Sequence, residues 1–325
     1  MTERNVTQVT EFILVGFAHQ PVPGIVGLFL VFLSLYLLAL LGNVGMMGLI
    51  QLDPRLHTPM YFFLSHLSLL DTCYASVIVP QILATLMSDD GLAVSYWGCA
   101  AQFFLFTVCA GTECYLLAVM AYDRYMAVGN PLLYVSAMTR GTCVALVAGA
   151  YAGGLVGATL RTALTFTLSF CDANRIDFFF CDLPPLLKLT CSDPSIREKV
   201  IIFLGNFVIL ANGLVILVSY LFIARAILHR RTAGGRAKTF STCASHLTAV
   251  GLFFGTLALT YLRGSSGKSL EGDKVVSVLY SVVIPALNPL IYSLRNGQVK
   301  AALHRALLRL RLALGLQTRE GGFSS

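Results

Sequence analysis

Seven apolar runs, each long enough to cross a bilayer as a helix, constrain this chain more than any other feature. They cover Gly24–Ile50, Pro59–Met87, Tyr96–Met126, Gly141–Leu160, Val200–Ala224, Thr239–Leu262 and Val275–Leu294. An α-helix rises about 1.5 Å per residue, so about 20 apolar residues traverse a hydrocarbon core about 30 Å thick. Runs of this length predict helices. Five of the seven hold no Asp, Glu, Lys or Arg; the second holds Asp71, and the third holds Glu113 before ending in Asp123 and Arg124.

Of the 325 residues, 56% are hydrophobic and 12% charged, about half the charge of an average soluble chain. The net charge of +7 does not suggest nucleic-acid binding, because the basic residues collect at the ends of apolar runs rather than in a stripe among exposed aromatics. With the N-terminus outside, the cytoplasmic segments hold 14 Lys+Arg and 3 Asp+Glu, the outer segments 9 and 11, and the membrane interior 0 and 2. Basic residues mark the cytoplasmic side, and this orientation satisfies that rule. The expectation is an all-α membrane protein: a seven-transmembrane helix bundle with an extracellular N-terminus and a cytoplasmic C-terminus. Its parts are an outer segment over 1–23, a receptor-like bundle over 24–294, and a cytoplasmic helix and tail over 295–325.

The N-terminal segment lacks the basic region and cleavage site of a removable signal, so the first span is expected to direct insertion. Asn5-Val6-Thr7 fits a glycosylation acceptor on the outer side. From Gly297 to Leu316, Lys300, Arg305, Arg309 and Arg311 alternate with leucines at helical spacing. That pattern predicts a short amphipathic helix on the inner leaflet; a solvated helix is the plainer reading. The cysteines divide by position. Cys73, Cys109, Cys114, Cys143 and Cys243 lie in apolar runs and read as buried thiols. Cys171, Cys181 and Cys191 share one polar loop, and Cys99 stands at a boundary; these read as disulfide formers whose pairing the residues leave open.

Acids at membrane depth are costly and mark functional sites. Asp71 and Glu113, with Asn43, Ser68 and Asn288, form an oxygen-only set suited to a hard cation such as Na⁺; a protonated structural network is the alternative. Asn288-Pro289, near Pro285, removes a backbone donor and supplies an amide that can satisfy freed carbonyls, which suggests a hinge or else a static kink. Asp123-Arg124-Tyr125 puts an acid–base pair at the inner end of span three, where an interfacial anchor would look similar. His66 and His246 read as packing or conformational contacts rather than metal ligands.

Four segments then carry a family resemblance: PMYFFLSHLSLLD (Pro59 to Asp71), MAYDRYMAV (Met120 to Val128), KTFSTCASHL (Lys238 to Leu247) and PALNPLIYSLRN (Pro285 to Asn296). With Gly42-Asn43 and Ser219-Tyr220 they make the chain, from about Glu11 to Leu303, resemble the tetrapod-type odorant receptors among the rhodopsin-like G-protein-coupled receptors. Gly129 stands where that family usually has Cys, Phe254 where Tyr is frequent, and Gly264 where Pro is common. The resemblance implies a Cys99–Cys181 disulfide with a second Cys171–Cys191 bridge, Cys99–Cys191 being the rival pairing. It implies a ligand between the outer halves of spans three, five, six and seven, and an outward movement of span six that opens an inner cavity for a stimulatory, olfactory-type G protein raising cAMP. Arg124 would meet the Gα C-terminus, flanked by Asp123 and Tyr125, with Tyr220, Asn288, Pro289 and Tyr292 supporting the open state. Asp71, Glu113 and Asn288 would hold sodium.

Carried over residue by residue, the pocket comprises Phe106, Thr107, Ala110, Gly111, Phe203, Leu204, Phe207, Val208, Phe254, Leu257, Ala258, Tyr261, Val278 and Ser281. With no charge in that set, it suits a small neutral volatile bearing one oxygen function, although Arg263 lies just beyond. The expected home is the plasma membrane, in the cilia of olfactory neurons. A non-olfactory receptor of the same class stays open, since fold does not dictate ligand. An opsin would need a Lys in span seven, which has none; a transporter would show repeated broken helices. As for an enzyme, Gly264-Ser265-Ser266-Gly267-Lys268-Ser269 has Leu262 where a phosphate loop needs its first glycine.

Overall fold

The computed structural model describes residues 9–16, 22–170, 174–190, 196–229, 233–264 and 270–313, with side chains left out at 233–242, 260–264, 270–271, 294–295 and 312–313. Its helices are α1 (Val22–Leu52), α2 (Pro59–Leu86), α3 (Tyr96–Gly129), α4 (Pro131–Ala137), α5 (Arg140–Phe166), α6 (Leu183–Leu187), α7 (Ile196–Leu228), α8 (Ala233–Gly264), α9 (Leu270–Val278), α10 (Ile284–Arg295) and α11 (Gly297–Ala313). Helices α1, α2, α3, α5, α7 and α8 are spans one to six. The seventh is composite, α9 and α10 joined by a π-helical turn over Leu279–Val283. Six of the spans are long and apolar enough throughout to cross a membrane, and α8 adds a shorter apolar stretch, Cys243–Leu259. The protein is a seven-helix membrane bundle.

Apart from span two, the helices are longer than their apolar runs because flanking polar residues continue the hydrogen-bonding pattern into the interface. The consequence is largest in span four. Its run ends at Leu160, whereas α5 continues to Phe166 and takes in Arg161, a residue the charge count had placed in the outer loop.

Span three is the axis, packing against spans two, four, five and six. Without a hydrophobic drive between helices inside lipid, small residues let backbones approach. Gly154 does so here: a Cβ added to it would lie 3.0 Å from Thr112 N and 3.1 Å from Val108 O. Gly42 likewise admits span seven, since its added Cβ would stand 2.9 Å from Pro289 Cγ. Next to it, Asn43 Nδ2 donates to the carbonyls of Ala39 and Pro285, both at 2.9 Å. Span one therefore satisfies a carbonyl beside the proline-disturbed part of span seven, and the π-turn one step earlier is a second irregularity of the kind found at functional bends.

On the outer side the chain forms a small sheet ordered β2-β1-β3, where β1 is Glu11–Leu14, β2 Leu92–Ser95 and β3 Arg175–Ile176. Glu11 pairs with Ser95 in the antiparallel ladder and Ile13 with Arg175 in the parallel one. Phe12 and Leu14 are fully buried beneath it. Lys274 of α9 fastens this layer to the bundle, donating to Gly16 O at 2.8 Å and Asp177 Oδ1 at 2.6 Å.

Candidate functional site

Three polar regions are stacked along the bundle. At the outer end Cys99 is bonded to Cys181, so the rival bridge from Cys99 to Cys191 does not form; Cys171 and Cys191, like Asn5, lie outside the described residues. Gln102, one turn below Cys99, holds the same loop. Its Oε1 accepts Cys181 N–H at 3.0 Å, while its Nε2 donates to Val77 O at 3.0 Å. The loop thus places Phe178, Phe179 and Phe180, all buried, over the mouth of the bundle. Phe180 meets Phe106 at 5.3 Å between ring centroids, and Phe106 also touches Tyr74 at 5.4 Å and Tyr280 at 6.2 Å.

Residue 182, next along the loop, is an acid buried at the level of these rings. Asp182 Oδ1 accepts the N–H of Leu183 at 2.7 Å, and Oδ2 accepts the hydroxyl of Tyr280 at 2.9 Å. Burial pushes its carboxyl above the usual range, against the opposing pull of those two donors and of the Arg161 charge.

The expected pocket residues divide. Phe106, Thr107 and Ser281 are buried, and Ala110, Leu204, Val208, Phe254, Leu257 and Val278 are half-buried within the bundle. Phe203 and Phe207 are not interior: they are 63% and 59% exposed on the lipid side, and Ala258 is exposed as well. The inward stripe of span five is Ile201, Gly205, Asn212, Ile216, Ser219 and Ile223, spaced at three, four and seven. That phase turns Phe203 and Phe207 outward, which uniform hydrophobicity along the run conceals. Gly111 faces span four, with Gly154 Cα 3.5 Å from where its Cβ would be. The Tyr261 side chain lies outside the described residues.

At mid-depth Asn288 Nδ2 donates to Asp71 Oδ1 at 3.2 Å and to Oδ2 at 3.0 Å. Glu113 is buried within electrostatic reach of Asp71, and Ser68 is buried in the same stretch of α2. The carbonyl oxygens of Asn43 and Asn288 are buried without a hydrogen-bond partner. Two carboxylates and two orphan amide oxygens are donors that fit a hard cation. Among the described residues no His/Cys/Asp/Glu group suited to another metal occurs. His66 packs its ring on Phe62 and Tyr151 at 4.9 and 5.9 Å.

At the inner end Arg124 Nη2 lies 3.1 Å from Asp123 Oδ2, with the arginine side chain 9% exposed. Asp123 Oδ1 accepts the Tyr134 hydroxyl of α4 at 2.9 Å, so the inner loop braces the pair. Tyr220 Oη and His246 Nδ1 are 2.7 Å apart, linking spans five and six, and Ser245 donates to Ile291 O at 3.2 Å between spans six and seven. A cleft of about 320 Å³ opens between spans three and five, lined by Tyr125, Gly129, Asn130, Phe222, Arg225 and His229 among others. Gly129 sits under the Tyr125 ring, whose nearest atom would be 3.3 Å from an added Cβ; a larger residue there would press on that tyrosine.

Tyr74, Gln102, Arg161, Asp182 and Tyr280 are among the interior polar residues that sequence reasoning passed over. Arg161 and Asp182 stood in what counted as loop, and the phenols were indistinguishable from packing aromatics.

The olfactory receptor family model matches residues 32–310. The chain is 66% identical to human (Homo sapiens) olfactory receptor 9I1, over 97% of this chain and 100% of that one. It is 62% identical to human olfactory receptor 9Q2 over 94% and 97%, and 53% identical to mouse (Mus musculus) olfactory receptor 5B21 over 94% and 95%.

Proposed function

The chain belongs to the olfactory receptor family, and from that premise we propose that it detects a small, mainly apolar, neutral volatile in the outer half of the bundle and signals through a stimulatory, olfactory-type G protein to raise cAMP. It is a receptor and not an enzyme. The observation that carries the signalling half is the clamp on Arg124. Its guanidinium is engaged with Asp123, which is itself held by Tyr134, and the next residue, Tyr125, lines the inner cleft. A charge kept in place by an ion pair at a lipid-level helix end suits a group that is released toward a partner's chain terminus.

The outer half supports the ligand reading. Phe106 with Tyr74, Phe180 and Tyr280 forms an aromatic wall, and an apolar wall with few convergent polar groups suits a small hydrophobic molecule. Binding there would bear on the span-six and span-seven contacts below it: Ser245 with Ile291, Tyr220 with His246, and the Asn288–Pro289 bend supported by Tyr292. Asp71, Glu113 and Asn288, with Asn43 and Ser68, would hold sodium in the resting packing, where the ion would supply charge neutralisation.

The expected setting is the plasma membrane of olfactory cilia, with the glycan acceptor Asn5 outside and 295–325 in the cytoplasm. Expression with a cAMP reporter and a volatile panel tests the reading. Arg124→Ala is expected to abolish the response while surface staining persists. Thr107→Val, Tyr261→Phe and Ser281→Ala are expected to change odorant potency; no change in any of the three would remove the ligand site from this region.

A further inference from the structure

We propose that a lipid-facing groove between spans three, four and five binds a neutral medium-chain alcohol dissolved in the bilayer. The groove has a volume of about 390 Å³ and is lined by Tyr115 and Tyr122 of span three, Ala145 and Gly149 of span four, and Asn212 and Val215 of span five, among others. Tyr122, Ala145, Gly149 and Val215 are exposed at its mouth, so it opens on the hydrocarbon and not on the bundle interior. It lies in the inner half of the membrane: span four enters at Gly141, and Asn212 is the central residue of the Val200–Ala224 run. The site is therefore separate from the outer aromatic wall, and the proposal does not depend on the odorant reading. Small residues make the space. Gly153 lets the Tyr115 ring lie against span four, its added Cβ being 2.8 Å from Cε2, while one turn away nothing lies within 4 Å of a Cβ added to Gly149.

Asn212 sets the chemistry of the occupant. Its side chain is buried, with the residue 6% exposed, and among the described residues its one hydrogen bond runs from Nδ2 to Val208 O at 2.8 Å, a carbonyl of its own helix. Its amide oxygen accepts nothing from those residues. An acceptor left so costs free energy at a depth where no lipid group can donate to it, and because Asn212 lines the groove, the donor comes from what the groove holds. A hydroxyl brings one proton to give. An aldehyde, ketone or ester brings acceptors only, an alkane brings neither, and an ammonium carries an uncompensated charge into hydrocarbon. The remaining wall is aliphatic and aromatic and suits a hydrocarbon chain; the seven residues from Tyr115 to Tyr122 give it a length of about 10 Å. A sterol fits less well. Its hydroxyl stays at the headgroup level, which would set its apolar tail against the Asn212 amide and leave the oxygen without a donor.

The test uses the full chain purified into nanodiscs, with decanol and decane each carrying a photoreactive diazirine at mid-chain. Wild type is expected to be labelled on the groove-lining segments of spans three, four and five, about fivefold more by the alcohol than by the alkane, the ratio that one hydrogen bond between neutral groups supplies. Asn212→Leu keeps the size of the side chain and is expected to bring the two probes level. Gly149→Leu, which grows into open groove, is expected to remove labelling by both and carries the test if the first variant fails to fold. Gly157→Leu, equally unobstructed but outside the groove, should label as wild type does. Equal labelling of wild type by the two probes, an alcohol preference that survives Asn212→Leu, labelling that survives Gly149→Leu, or capture of a photoreactive sterol there ahead of the alcohol would overturn the proposal. None of these results bears on the odorant reading, which the cAMP assay tests by itself.

Discussion

Asn288 in span seven donates to both carboxylate oxygens of Asp71 in span two, so one amide ties the proline bend to the buried acid. Its own carbonyl oxygen and that of Asn43 remain buried without partners, beside a second acid, Glu113. An unsatisfied buried acceptor costs about 1–3 kcal/mol, and a cation shared among these oxygens would remove that cost.

Asp71→Asn is therefore expected to keep the span two to span seven contact but lose the cation. Wild-type odorant potency should differ several-fold between sodium and a bulky organic cation in the medium, whereas the variant's should not. Glu113→Gln should act in the same direction. An equal sodium dependence in all three would leave the cluster as a structural network.

The approach of spans three and four at Gly154 is a separate dependence. An alanine there puts a methyl against Thr112 N and Val108 O, backbone atoms that cannot turn aside, so α5 must shift at a cost of about 1–3 kcal/mol. Gly157→Ala, with nothing within 4 Å of its added Cβ, serves as the control. Surface expression and thermal stability are expected to fall for the first and hold for the second.

Helix α11 is pinned to the first inner loop, where Arg305 Nε and Nη2 donate to Asp53 Oδ2 at 2.9 and 2.5 Å and Tyr61 donates to Gln298 Oε1 at 2.9 Å. The Arg305 hydrogen bond holds the Asp53 carboxyl below the usual carboxylate range. A depressed acid stabilises the fold above its unfolded pKa of about 3.9 and loses that contribution only as pH falls through the folded value. The pin is expected to be constant across cytosolic pH. Arg305→Ala should raise hydrogen exchange in α11 equally at pH of about 6 and about 8.

What the sequence made legible follows from what lipid demands. Seven spans, their orientation and the Asn43, Asp71, Asn288 and Arg124 positions could be read because charge and amide groups are conspicuous against apolar runs. The phase of span five was hidden because Phe203 and Phe207 are as apolar as the inward Ile201 and Ile216, and only packing distinguishes them. The outer sheet was hidden because β1 pairs with residues 92–95 and 175–176, contacts set by loop closure and not by local pattern. Arg161 was misplaced by a single residue, since a hydropathy run ends at the first charge whereas a helix need not.

The acid beside the odorant region gives a pH dependence of the opposite sign to Asp53. Asp182 is 8% exposed, and burial raises its carboxyl, partly offset by the Leu183 amide, the Tyr280 hydroxyl and the Arg161 charge. For an acid raised on folding, the stabilising contribution is complete below the unfolded carboxylate range and is lost as pH rises through the folded value, because the ionised form is the one that burial penalises. The purified receptor is therefore expected to melt at a lower temperature near pH ~7 than near pH ~5. Asp182→Asn cannot ionise and keeps one carbonyl oxygen for the Leu183 amide, while its Nδ2 can donate to the Tyr280 oxygen. That variant's melting temperature should vary less over the same interval. Comparing the two curves isolates Asp182 from the nearby Asp177–Lys274 pair, which both proteins share, and parallel curves would mean that the carboxyl does not titrate in this window.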